Sequence, residues 1–441
     1  MTATQAREYP TPTLEIGPER PCLDTVLHIR VCGLPPGGEV TLEARQAGPW
    51  GLLWESAATF AADGDGTVDL ARDAPVRGSY RHADPVGLVW SMTPAGAAPE
   101  AGPADQRTPV RLDVAASAGA VEIGAARCER LRIPDGLRRV EVRDQGLVGV
   151  LYVPDDDRPR PGVLLLGGAE GGLHEDDAAL LAAHGFAVLA LAYYGAPSRP
   201  ATLERIPLEY FGRAVEYLRG CGQVRPHQIA AVGGSKGGEA ALLAASVFPG
   251  ITAAVSLLGS GVVTQGISQD VLTGSFLEIM GTPVPCWTHQ DRELPYLPNV
   301  VTPELERLVK EGSPVTLRMA FEPALAAAGT RLLSAAAIPV ERINGPVLLI
   351  SATDDEGYGR AFHDIAEQRL ASGTRHSWEH VVHEDAGHGI IASPYRPTTV
   401  TTSPGPGVTF SHGGTPEANA RACAATWQAT IRFLRTAFAP A

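Results

Sequence analysis

Lysine is nearly missing from this chain: Lys236 and Lys310 are the only two in 441 residues, and arginine supplies the rest of the 36 basic side chains. With 49 acidic residues and a formal net charge of -13, no basic run is present to follow a phosphate backbone. Nucleic acid is therefore excluded as an expected partner. The six cysteines are scattered without CxxC pairs or finger spacing, which excludes a disulfide framework and a zinc finger and reads as core thiols in a reducing compartment. No stretch approaches the roughly 18 uncharged apolar residues of a membrane span. The opening MTATQAREYPTPT lacks a basic segment followed by an apolar run, so no signal peptide is expected and the cytoplasm is the default compartment. What is abundant is 44% hydrophobic residues with 49 glycines and 37 prolines, a loop-rich globular composition. The length predicts two domains.

Residues 13–121 alternate short apolar runs with turn signals, as in VLHIRVCGLPPGGEVTLEA and LLWESAATFAADGDGTVDL. This texture predicts an all-β sandwich of immunoglobulin-like type over residues 1–135, without a helix, and with Trp50, Trp54 and Trp90 packed between its sheets. After Pro134 the pattern changes to continuous apolar runs, VLLLGG, FAVLALA, IAAVGG, TAAVSLL and VLLIS. Strands apolar on both faces belong to a mostly parallel sheet covered by helices. Helical spacing in LEYFGRAVEYLRG, GGEAALLAASVF and the C-terminal ANARACAATWQATIRFLRTAF supplies those helices. An α/β-hydrolase domain over 136–441 follows. Residues 259–337, too long for a simple connection, predict a lid or substrate wall.

The sharpest chemical signal is VGGSKGG, in which Gly233, Ser235 and Gly237 form GxSxG between an apolar strand and a helix. Such an elbow holds its serine in a strained turn, and the residues two before and two after must be small. A serine nucleophile needs a base and an orienting acid, which in this fold follow it in the chain. VLLISATDDEG offers Asp354 and Asp355 past one strand, and WEHVVHEDAGHG offers His388 past the next. His376, His380 and His383 read as surface or packing residues, because His380 and His383 would point to opposite faces of a strand and form no metal set. The loop GGAEGGLHE lies where an oxyanion amide belongs, which makes Glu170 and Gly171 candidates beside the N–H of Lys236. A phosphate cradle there lacks the Walker lysine.

These blocks resemble the type I acyl-CoA thioesterases and the related bile acid-CoA:amino acid N-acyltransferases over nearly the whole chain. ATFAADGDGTVDL and DPVGLVWSM are similar to the N-terminal region of that family. GGLHEDDAALLAAHGFAVLALAYYG, GSKGGEAAL, GITAAV, IPVER, DAGHGI and GGTPEANARACAATW follow its hydrolase domain in order. The resemblance implies Asp355 as the triad acid, and Ser235, where the N-acyltransferases typically carry cysteine, implies hydrolysis. Thr415 and Asn419 stand where the family usually has Glu and His, and they are expected near the acyl or coenzyme A pocket.

The resulting expectation is a cofactor-independent serine hydrolase acting on a small-molecule acyl thioester, with coenzyme A as part of the substrate. An acyltransferase passing the acyl group to an amino acid or other biosynthetic acceptor is the alternative, as is an esterase acting on a secondary-metabolite or carrier-protein ester. A non-catalytic relic conflicts with an intact serine, acid and histidine set.

Overall fold

The computed structural model describes residues 11–48, 52–97, 107–269 and 274–439. The chain divides into two compact units. The first holds residues up to Ile133 together with Ser393–Val400, and the second holds the remainder. A single cut near residue 135 therefore needs correction, because Ser393–Val400 returns to the first unit. It is tied there by Thr398 N–H to the Trp90 carbonyl at 3.0 Å and by Arg130 to the Tyr395 carbonyl at 2.8 Å.

In the first unit, Leu52–Ala61, Glu39–Ala47, Val110–Ala118 and Val121–Arg130 form the body of one antiparallel sheet, and Thr13–Gly17, His28–Cys32 and Val68–Asp69 form a second. Alternation along Glu39–Ala47 buries Val40, Leu42 and Ala44 and leaves Glu39, Glu43 and Arg45 exposed, as a strand with one wet face requires. Trp54 and Trp90 are buried as expected, while Trp50 lies outside the described residues. The expectation of no helix fails at Gly87–Trp90. There the Asp84 carboxylate accepts from Val86 N–H and from Trp90 Nε1–H and winds the segment into a single turn.

The second unit is built on an eight-stranded sheet among the described residues. Its strands are β1 (Leu137–Val142), β2 (Gly149–Pro154), β3 (Arg160–Leu166), β4 (Ala187–Leu191), β5 (Val224–Gly234), β6 (Ala253–Leu257), β7 (Val347–Ala352) and β8 (Trp378–His383), in the order β1-β2-β4-β3-β5-β6-β7-β8. β3 to β8 run parallel, and β2 is antiparallel to both β1 and β4. Every residue of β4, β6 and β7 is buried, which explains their unbroken apolar sequence. The crossover helices are α1 (Glu175–Ala183), α2 (Glu209–Gly220), α3 (Lys236–Val247), α4 (Arg360–Gly373) and the C-terminal α5 (Pro416–Ala437).

Between β6 and β7 the chain forms helices Phe276–Gly281, Pro303–Glu311, Arg318–Ala327 and Thr330–Ala336, with strands Trp287–His289 and Arg292–Glu293 joined to Ile206–Pro207. FEPALAAAGTRLLSAAA is two helices, since Ala328 and Gly329 are extended. The insertion has its own apolar core of Val262, Phe276, Leu305, Val315 and Phe321, shared with Tyr358 and Phe362.

Candidate active site

Ser235 sits between β5 and α3 with φ 53° and ψ -121°, a positive φ that a side-chain-bearing residue rarely adopts. Its two glycine neighbours are required by contact. A Cβ on Gly233 would lie 2.1 Å from the Gly237 carbonyl oxygen, and one on Gly237 would lie 2.3 Å from the Leu166 carbonyl oxygen. Strand β5, helix α3 and the end of β3 can approach one another only without those carbons. Lys236, the next residue, opens α3, where an amide has no partner inside the helix.

Asp355 and His388 reach the serine from the ends of β7 and β8. Ser235 Oγ lies 2.8 Å from His388 Nε2, and His388 Nδ1 lies 2.7 Å from Asp355 Oδ1. An ionised carboxylate can only accept, so Nδ1 carries the proton and Nε2 is left to accept from the serine hydroxyl. Asp355 is wholly buried, and Ser235 and His388 are nearly so. Gly357 N–H donates to Asp355 Oδ1 at 2.7 Å, and a Cβ on Gly357 would strike the His388 ring 2.3 Å from Nδ1. Asp354, the other candidate acid, turns away and accepts from Gly414 N–H at 2.6 Å.

Electrostatics follow from this packing. Burial pushes the Asp355 carboxyl up, but His388 and His363 beside it outweigh that and hold it below the usual carboxylate range. Burial disfavours the His388 imidazolium, but the Asp355 carboxylate more than offsets it and holds His388 above the ordinary histidine value. His412 stacks on His388 with ring centroids 6.4 Å apart and planes 17° apart, and its carbonyl accepts from His388 N–H at 2.7 Å. Its own ring is pushed down to about 4, chiefly by burial.

The loop after β3 is more closed than expected. Gly171 N–H is committed to the Gly168 carbonyl at 3.3 Å, a turn bond that removes it as a ready oxyanion donor. The Glu170 carboxylate accepts from Gly168 N–H at 3.0 Å and pairs with His174 at 3.0 Å. Gly168 nonetheless abuts the nucleophile, since a Cβ there would come within 3.3 Å of Ser235 Cβ.

Asn419 braces the histidine loop: its Oδ1 accepts from Gly387 N–H at 2.7 Å, one residue before His388. Thr415 caps α5 by accepting from Ala418 N–H. His376 is exposed, His383 bonds Thr426, and His380 bonds Ser351 and Glu367. These three do not converge.

Sequence reasoning missed a buried polar node behind the nucleophile. Lys236 Nζ lies 2.8 Å from Glu239 Oε1 and donates to Thr264 Oγ1 and the Thr264 carbonyl, while Glu239 also accepts from Trp287 Nε1 at 2.7 Å and from Thr264 N–H. One signal was visible: a lysine in a chain with only two, three residues before a glutamate at the start of a helix that is apolar thereafter but for Ser246.

A mostly parallel sheet with a serine on the elbow after β5, an acid after β7 and a histidine after β8 defines an α/β hydrolase. More narrowly, the chain belongs to the acyl-CoA thioester hydrolase/BAAT family. Residues 206–440 match that family's C-terminal domain and residues 24–144 its N-terminal region. The chain is 33% identical to acyl-coenzyme A thioesterase 2, mitochondrial, of Rattus norvegicus, with 98% of this chain and 90% of that one covered. It is 32% identical to acyl-coenzyme A thioesterase 1 of Homo sapiens, with 94% of each covered. Among the described residues, no helix is long and apolar enough to cross a membrane.

Proposed function

We propose that this enzyme hydrolyses acyl-CoA thioesters through an acyl-Ser235 intermediate. The observation that carries the reading is the hydrogen-bonded line from Ser235 through His388 to Asp355, held on a strained elbow in a chain of this family. Ser235 Oγ attacks the thioester carbonyl carbon as its proton passes to His388 Nε2. The oxyanion is held by Lys236 N–H, with the Glu170 amide as the second donor. The C–S bond breaks, and the coenzyme A thiolate takes the proton from His388 Nε2. Water, deprotonated by the same nitrogen, attacks the acyl-serine, and the free acid leaves as the proton returns to Ser235. None of these steps calls for a metal or redox cofactor.

Residues 259–337 form the wall of the acyl site in this reading, and their apolar core, shared with Tyr358 whose ring lies 6.3 Å from that of His388, supports that role. The first unit is an immunoglobulin-like sandwich, supported by its two antiparallel sheets. Six cysteines with no disulfide among the described residues favour the cytoplasm.

The test is release of coenzyme A thiol from short, medium, long and branched acyl-CoAs, with and without amino acids. Free acid in both conditions is expected. An amide product formed only with the amine would make the enzyme an acyltransferase instead. Exchanging the two neighbouring acids separates their roles. Asp355→Asn is expected to lower kcat by about 10⁴-fold, because an amide beside Nδ1 favours the wrong histidine tautomer. Asp354→Asn leaves the rate nearly unchanged, and equal losses in the two variants would remove Asp355 from the triad.

A further inference from the structure

Asp355 has a second histidine behind it. Its Oδ1 is taken by His388 Nδ1 and by Gly357 N–H, but its Oδ2 is buried with no hydrogen-bond partner among the described residues. Facing Oδ2 at 3.7 Å is Nε2 of His363, on the first turn of α4, equally buried and equally without a partner. His363 is 2% exposed and Asp355 0%. A buried polar atom left unsatisfied costs about 1–3 kcal/mol. Two such atoms facing each other are both satisfied by one hydrogen bond, and the usual N–H···O distance of about 2.9 Å is less than 1 Å from the observed separation.

We propose that His363 is a positioning residue of the catalytic line, donating Nε2–H to Asp355 Oδ2 so that the array runs Ser235, His388, Asp355, His363. This rests on the serine-hydrolase reading above and adds to it a fourth residue that never touches substrate. Its action is on Asp355. With both oxygens occupied, the carboxylate cannot rotate away when His388 takes the serine proton, and its negative charge is shared with a donor on Oδ2 as well as with His388 and Gly357 on Oδ1.

The surroundings of His363 fix its orientation. The titratable groups facing it are Asp355 from the loop after β7 and His380 from β8, whose ring centroid is 6.3 Å away. His380 is itself bonded to Glu367 of α4 and to Ser351 of β7. The exposed Arg360, one turn earlier on α4, pairs with the half-buried Asp364. Among the titratable groups of the described residues, Asp355 is thus the acceptor facing a proton on Nε2.

Removing that donor raises the proton affinity of His388, since a less solvated carboxylate holds the imidazolium more strongly. His363→Phe keeps the ring volume without the donor, and His363→Gln keeps a donor. The readout is the pH dependence of Ser235 labelling by a fluorophosphonate, which needs an activated serine but no thioester chemistry. In His363→Phe the acid limb is expected to move to higher pH by about 0.5 to 1 unit, and the plateau rate to fall about tenfold, the scale of one hydrogen bond to a charged group. His363→Gln is expected to restore the limb to its wild-type position. On the unsubstituted enzyme, ¹⁵N-histidine NMR is expected to show a proton on His363 Nε2 at neutral pH. A limb in His363→Phe that coincides with wild type, or an Nε2 without a proton, overturns the proposal. Absence of labelling in the wild type overturns the serine-hydrolase reading instead, and the NMR result still decides His363.

Discussion

Ser235→Ala removes thioester turnover, with kcat falling about 10⁵- to 10⁶-fold, because alanine offers no atom to form the acyl-enzyme and leaves His388 with nothing to activate. The size of the effect follows from the way triad members act as a unit: without the nucleophile, the base and its acid contribute little. Thiol release measures the loss, and the same variant fails to label with a fluorophosphonate. The fold survives, since among the described residues Oγ bonds only His388 and the elbow's strain lies in the backbone at φ 53°. A variant that kept about a tenth of the wild-type rate would remove Ser235 from the mechanism, because no surviving serine hydrolase step has that efficiency.

The hydrogen-bonded line of Ser235, His388 and Asp355 was readable in the sequence because each member is tied to a local rule. Gly233 and Gly237 flank Ser235 since any Cβ there would collide with backbone, a constraint written within five residues. Asp355 follows the apolar strand β7 and His388 the more polar strand β8, so their place at the sheet's carboxyl edge follows from alternation of strand and loop. The strands were legible for the same reason: β4, β6 and β7 are buried along their whole length and read as unbroken apolar runs.

What escaped depends on pairings distant in sequence. Asn419 is 32 residues beyond Gly387, and only the closed fold brings its side chain to that amide. His363 carries no local signal, and only the fold places Asp355, eight residues earlier in the chain, in front of it. The Gly171 amide was expected to be open because the loop is glycine-rich. The same freedom lets the loop fold back on Gly168. Ser393–Val400 has no local signal of its membership in the first unit, since its ties are to Trp90 and Arg130, hundreds of residues away.

Glu239→Ala is expected to destabilise the second unit by about 3–5 kcal/mol, the scale of breaking a buried ion pair from one side. Lys236 is 4% exposed and Glu239 0%, so the substitution leaves an ammonium in the interior with Thr264 and Gln265 oxygens but no counter-charge. It also strips the acceptor from Trp287 Nε1 and from Thr264 N–H, the bonds that tie the insertion to α3. Burial pushes the Lys236 ammonium down, but its charged neighbour Glu239 works against that, and the group stays above the ordinary lysine value. A raised folded-state value means that this stabilisation is complete at neutral pH and fades only as pH climbs past the lysine range. The melting temperature is therefore expected to drop by about 10 °C at pH 7. Glu239→Gln, which keeps an oxygen for Trp287 but not the charge, separates the hydrogen bonds from the ion pair. Because the Lys236 amide is the oxyanion donor of the proposed mechanism, kcat is expected to fall below wild type at temperatures where the variant is still folded. A variant that melts with wild type would show that the insertion is held to α3 by apolar packing around Trp287 and not by this ion pair.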